Sequence, residues 1–277
     1  MHAHDDLACE RIELTPGEPF GDLDGLCGVL HQAGPADVAT HDPHDAVADL
    51  VSVPVQLNFD EGLGADDGGR RTTLNLQPVY PVRLSADWNL ISRTIIPVIW
   101  QEDVLPGTEQ TGLGDILQSV FLSPADAGAG GGLIWGAGLA FGLPTATEDA
   151  LGTGKWTAGP TAAALRMDGP FTYGALFNHL WSIGGDEDRA DVNQSFVQPF
   201  FSYVSPAAVT FTASAEAAYD WEGEVWSVPV NFTVARLVDI GGQKVSLQGG
   251  VRYWAESPDG GPEGVGFRIG TTFLFPR

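Results

Sequence analysis

The sequence predicts an all-β chain: a closed antiparallel transmembrane β-barrel of about 12 strands, preceded by a short N-terminal extension. Three observations predict it. The last strand alternates Val265, Phe267, Ile269, Thr271, Phe273 and Phe275 with Gly264, Gly266, Arg268, Gly270 and Thr272, and stops two residues short of the C-terminus. Successive side chains of a strand point to opposite faces. One face is therefore apolar and the other is glycine plus a charge, as lipid outside and water inside demand. Runs of the same kind recur upstream, and the connections between them alternate between short turns and acidic loops.

In chain order the runs are 50–60, 72–84, 87–100, 111–123, 132–143, 155–167, 170–183, 194–204, 207–221, 225–237, 243–256 and 264–275. The first sets Val51, Val53, Val55, Leu57 and Phe59 against Ser52, Pro54, Gln56, Asn58 and Asp60. The second and third place Arg83 and Arg93 on their polar faces, with Asn75 and Gln77, and the fourth carries Asp115. In 132–143 the small face of Ile134, Gly136, Gly138, Ala140 and Gly142 opposes Leu133, Trp135, Ala137, Leu139 and Phe141. Small residues there leave space for a ligand or a plug, or let the sheet curve. Trp88 and Trp100 share parity at the ends of one run, as Phe171 and Trp181 do on another, and amphipathic rings settle at head-group depth.

The ninth run sets Val209, Phe211, Ala213, Ala215, Ala217, Tyr219 and Trp221 against Thr210, Thr212, Ser214, Glu216 and Asp220. The tenth sets Trp226, Val228, Val230, Phe232 and Val234 against Ser227, Asn231 and Thr233. The eleventh sets Val245, Leu247, Val251 and Tyr253 against Lys244, Ser246, Gln248, Arg252 and Glu256. A tilted spanning strand needs about 9–11 residues, and an even strand number closes the ring and removes its edges.

The short connections are Leu84–Asp87, Met167–Pro170, Val204–Ala207 and Ile240–Gln243, with Pro124–Gly131 longer; the acidic set is 61–71, 101–112, 144–155, 184–193, 222–224 and 257–263. Outer-membrane barrels pair periplasmic turns with external loops in this way. With 277 residues, 36 Gly and 10% aromatics the chain suits one barrel, residues 49–277, after an extension of 1–48. A net charge of −23 with 13 Lys and Arg excludes a nucleic-acid partner, which demands a basic patch. Outer-membrane lipid and a small-molecule solute are the expected partners, with divalent cations at the acidic loops through oxygen ligation. No cofactor is expected.

Function is expected inside the barrel. Parity gives Arg83, Arg93, Arg252 and Arg268 as a basic wall on strands that become neighbours on closure, Asp115, Glu216 and Asp220 as acids, and Asn231 and Gln248 as amides. Such a transverse field selects solutes by charge. The competing expectation is an ion-paired plug. An enzyme of the outer-membrane phospholipase type is the other alternative, but His179, beside Asn178 and near Ser182, has no identifiable triad, because adjacent residues of a strand face opposite ways.

From about residue 51 onward the chain carries Arg93-Thr94-Ile95-Ile96-Pro97-Val98-Ile99-Trp100, Gly112-Leu113-Gly114-Asp115 and Leu143-Pro144-Thr145-Ala146-Thr147. It continues with Gly152-Thr153-Gly154-Lys155-Trp156, Tyr173-Gly174-Ala175-Leu176, Tyr219-Asp220-Trp221-Glu222 and Trp254-Ala255-Glu256-Ser257-Pro258-Asp259-Gly260-Gly261-Pro262. In these motifs it resembles an outer-membrane barrel family labelled as components of the meta-cleavage pathway of phenol degradation, whose members often carry the label "transporter" or "neuromedin U". The resemblance implies a Gram-negative outer-membrane location and transport, and brings no catalytic residue. The start departs from it: Met1 to Asp6 has neither the basic region nor the apolar stretch of an export signal, so the natural start is expected elsewhere. His2, His4, His31, His41, His44, Cys9 and Cys27 all fall in this extension, where a metal site or a Cys9–Cys27 disulfide is conceivable.

Overall fold

A computed structural model describes residues 50–127 and 132–276. The extension 1–48, with its histidines and cysteines, lies outside them. The strands are β1 (Leu50–Leu63), β2 (Gly69–Leu76), β3 (Val79–Arg83), β4 (Trp88–Glu102), β5 (Glu109–Leu113), β6 (Ile116–Pro124), β7 (Ile134–Leu143) and β8 (Lys155–Asp168). They continue as β9 (Phe171–Gly185), β10 (Asn193–Val204), β11 (Val209–Ala215), β12 (Ala217–Asp220), β13 (Val225–Ile240), β14 (Gln243–Glu256) and β15 (Val265–Pro276). Three staves of the wall are interrupted. β2 and β3 both pair β1 and β4 on either side of Gln77 and Pro78, β5 and β6 both pair β4, and β11 and β12 both bridge β10 and β13. Pro78 has no N–H to donate. Counted as staves the barrel has twelve strands, and it closes where β1 meets β15 antiparallel from Leu50↔Pro276 to Phe59↔Phe267.

Turn chemistry fixes the register. Between β13 and β14 the pair Gly241 and Gly242 takes φ of 65° and 90°, both left-handed, and two such residues make the hairpin turn whose twist matches the strands. Inside the sheet, Phe121 of β6 faces Gly138 of β7. A Cβ on Gly138 would meet the Val120 carbonyl oxygen at 1.8 Å, so only glycine fits beneath that buried ring.

The outer wall is apolar and exposed, including Leu139, Phe177, Phe232, Val251, Phe267 and Ile269. No water-soluble surface tolerates an apolar band of this size. Aromatic belts border it. Near the short turns stand Trp88, Trp135, Phe171 and Phe201; at the long-loop end stand Trp100, Trp156, Trp181, Trp221 and Trp226. Rings touch along the belts, Trp88 with Trp135 at 6.5 Å and Tyr219 with Trp226 at 4.8 Å. Val245 is the exception: it stands on the outward face between its partners Val238 and Phe273, yet it is buried.

The inner wall departs from a uniformly polar lumen. Val79, Ile91, Phe121, Ile134, Ala163, Leu165, Leu176 and Phe200 form one buried cluster on β3, β4 and β6 to β10, toward the short-turn end. Around that cluster both faces are apolar. Polar side chains hold the rest of the inner face, on β11 to β15, β1 and β2 and also on the other strands, as Arg93 on β4, Ser119 on β6, Thr161 on β8 and Asn178 on β9.

Candidate functional site

The polar half converges on Glu216. This residue lies between β11 and β12, and its N–H donates to the Pro229 carbonyl of β13 at 3.0 Å, which keeps the interrupted stave in register. Alternation from the buried Ser214 then turns its carboxylate inward. Arg268, 1% exposed, places Nη1 2.8 Å from Glu216 Oε1 and donates from Nη2 to Oε2 at 3.0 Å, a two-point clamp. Its Nε donates to Asn58 Oδ1 at 2.8 Å on the neighbouring β1. Arg252 reaches the same carboxylate, with Nη1 3.4 Å from Oε2.

A second carboxylate completes the group. Arg252 Nε lies 3.2 Å from Asp60 Oδ1, and Trp254 Nε1 donates to the same oxygen at 2.8 Å. The Arg252 guanidinium also sits 4.7 Å from the Trp254 ring centroid, a cation–π contact that helps to orient it. Arg71, paired across the sheet with Asp60, donates from Nε to Gln101 Oε1 at 2.9 Å, and Gln101 Nε2 donates to Gln110 Oε1 at 2.9 Å. From the opposite side of the ring, Arg93 donates to Gln77 Oε1 at 2.7 Å while its charge acts on Glu216. The group therefore spans the lumen.

Four guanidiniums, of Arg71, Arg93, Arg252 and Arg268, face the two carboxylates of Asp60 and Glu216. Buried charges persist only when paired and hydrogen-bonded, which is what the clamp, the asparagine and the indole supply. Two buried amides stand out beside them. Asn231, the cross-strand partner of Arg252 and 1% exposed, has neither amide atom hydrogen-bonded, and Gln248 Nε2 has no partner either.

Of the residues singled out in the sequence, Arg93, Glu216, Arg252 and Arg268 come together, with Asn231 and Gln248 on the same inner face. Three stand elsewhere. Arg83 ends β3 exposed at the short-turn rim, its Nε donating to the Ser85 carbonyl at 3.3 Å. Asp115 holds a loop: its oxygens accept from Ala146 N at 3.2 Å, Thr153 N at 2.6 Å and Thr153 Oγ1 at 2.7 Å. Asp220 accepts from Glu222 N at 3.0 Å and shapes the turn after β12. Sequence reasoning missed Asp60, Arg71 and Trp254 as partners. Asp60 was visible by its polar parity; Arg71 and Trp254 flank loops, where strand limits are least legible.

On the outer wall, His179 Nδ1 lies 2.7 Å from Ser195 Oγ, and Trp221 Nε1 donates to that hydroxyl at 2.9 Å. The serine beside His179 is thus on the next strand. Ser182 instead donates to the Val192 carbonyl at 3.2 Å. His179 Nε2 has no hydrogen-bond partner among the described residues, and nucleophilic catalysis needs a group that orients the base. Among the described residues no group of three or more His, Cys, Asp or Glu is placed to hold a metal ion.

A closed twelve-stave barrel with an exposed apolar band, aromatic belts and a charged interior is an outer-membrane β-barrel. Its fold is similar to that of an outer-membrane channel from Pseudomonas putida F1, with a TM-score of 0.61 over 82% of this chain and 94% of that one, at 15% identity. It is also similar to the NanC porin (TM-score 0.48, 11% identity, 80% and 98% covered) and to outer membrane phospholipase A from Escherichia coli (0.46, 12%, 80% and 95%). No family model and no curated protein matches the chain.

Proposed function

We propose that the protein is an outer-membrane channel that passes small solutes passively through a narrow charged lumen with a weak preference for anions. The observation that carries this reading is the cluster spanning the lumen, in which four guanidiniums meet two carboxylates. Arg83 at one rim and Asp115 and Asp220 near the other would meet a solute before or after it. Inside a low-dielectric wall the local field outweighs the acidic external loops, whose charges are screened beyond about 8 Å at physiological salt. The fold-level similarity to a channel and the resemblance to a family labelled for phenol degradation support the same direction, with hydrophobic or aromatic compounds as the solutes.

Planar-bilayer recordings in a salt gradient test it. A reversal potential on the anion side supports the reading. Cation selectivity, or no conductance at all, overturns it. The second outcome would favour a closed structural barrel, a reading to which the burial of Arg252, Arg268 and Asn231 also points.

A further inference from the structure

We propose that the outer wall holds one phospholipid at a defined site, an acyl chain in a groove floored by alanines and the phosphate on Arg166. The groove, about 300 Å³, spans β7, β8 and β9 where two cross-strand rungs are nearly without side-chain bulk. Trp135, Ala164 and Ala175 make one rung, and Ala137, Ala162 and Phe177 the other. The two rings stand at opposite corners, and the alanines sink the surface between them. Elsewhere the same wall is filled by side chains such as Phe232, Val251, Phe267 and Ile269. In a bilayer such a hollow takes up hydrocarbon, because an unfilled one forfeits the dispersion contacts of its lining.

A charge selects which hydrocarbon. Arg166 follows Ala164 by two positions on the same outward face, about 7 Å along β8 toward the short turn. It is exposed, and its side chain makes no hydrogen bond or ion pair among the described residues, although Asp168 stands two positions further on. Its cross-strand partner Tyr173 is exposed too, and the hydroxyl is equally unengaged among those residues. An arginine on a lipid-facing wall costs little only near the interface, where its stem lies along apolar surface and its head reaches the polar layer. A phosphodiester in that layer would accept from two guanidinium nitrogens and from the tyrosine hydroxyl. Short turns lie on the periplasmic side of outer-membrane barrels, so the lipid belongs to the inner leaflet. The site is independent of whether the lumen conducts.

Native mass spectrometry of the detergent-solubilised full chain tests it. Dioleoyl phosphatidylglycerol is expected to stay bound, one per chain, at least ten-fold more tightly than dioleoylglycerol, which lacks the phosphate, and than glycerol phosphate, which lacks the chains. Arg166→Gln should weaken phosphatidylglycerol at least five-fold and Arg166→Lys less. Ala162→Leu, which fills the groove away from the charge, should weaken it several-fold, while Arg70→Gln, at the long-loop rim beside Glu102, should change nothing. Should a variant fail to fold, the three-ligand comparison on the unmodified protein decides alone. Equal retention of phosphatidylglycerol and dioleoylglycerol, or equal retention by Arg166→Gln and the unmodified chain, overturns the site. So does a lipid-free dimer that Ala162→Leu dissociates, which would give the groove to a second copy of this chain.

Discussion

Arg268 and Glu216 are 52 residues apart in sequence and clamp one another through two guanidinium nitrogens, at 2.8 and 3.0 Å, inside the barrel. They lie on staves separated by β13 and β14, and Arg252 of β14 reaches the same carboxylate. At Arg268's level those strands contribute Gly250 and Thr233, and a Cβ on Gly250 would meet the Phe232 carbonyl oxygen at 2.2 Å.

Removing the acid should be costly. Glu216→Gln removes the carboxylate that Arg252 and Arg268 both meet, and breaking a buried pair from one side typically costs about 3–5 kcal/mol. The part exposure of Glu216 places the effect at the low end. Urea unfolding in detergent or lipid checks it; a loss under about 0.5 kcal/mol would show the clamp to be idle.

Selectivity should follow the same residues. Glu216→Gln is expected to strengthen anion preference, and changing Arg252 and Arg268 together to Gln to abolish or reverse it, because each acts within a lumen that salt screens poorly. Reversal potentials read both. Selectivity that is indifferent to the double replacement would sink the mechanism.

The lipid-facing wall gives a depth-dependent prediction. Val230, 43% exposed on the outside of β13, should tolerate arginine badly, at about 2–4 kcal/mol if it lies near the midplane. Trp226→Arg, near the belt, should cost about 1 kcal/mol or less. Equal costs in reversible unfolding would contradict a bilayer around this wall. Spin labels at Phe232 and Phe267 should correspondingly be accessible to oxygen and shielded from aqueous reagents.

The loop 144–155 should open when its strut is lost. Asp115 accepts three hydrogen bonds from Ala146 and Thr153, and Arg189 of the next loop donates to the Asp149 carbonyl at 2.9 Å. Asp115→Ala should shift this partly exposed loop by about 1 kcal/mol, roughly five-fold more open, read as faster limited proteolysis between 144 and 155. Unchanged cleavage would assign the strut to Arg189 instead.

The alternation of Val265 to Phe275, or of Val209 to Trp221, determined by itself that this chain is a two-faced sheet, because parity is a property of each strand alone. Strand count and the shared face of Arg93, Glu216, Arg252 and Arg268 follow from that local rule plus closure, whereas which face turns inward does not, because a barrel with its apolar face inside alternates in the same way. Where both faces are apolar, as on β4 with Ile91 and Leu90, alternation is silent, and the inner cluster around Phe121 was invisible. Partnership was equally beyond reach. Whether Arg252 meets Asp60, whether Asp115 faces solute or holds a loop, and whether His179 meets Ser182 or Ser195 depend on register between strands tens to hundreds of residues apart. Only the closed sheet decides those, since a slip of one residue in any ladder would exchange every inward side chain for its outward neighbour.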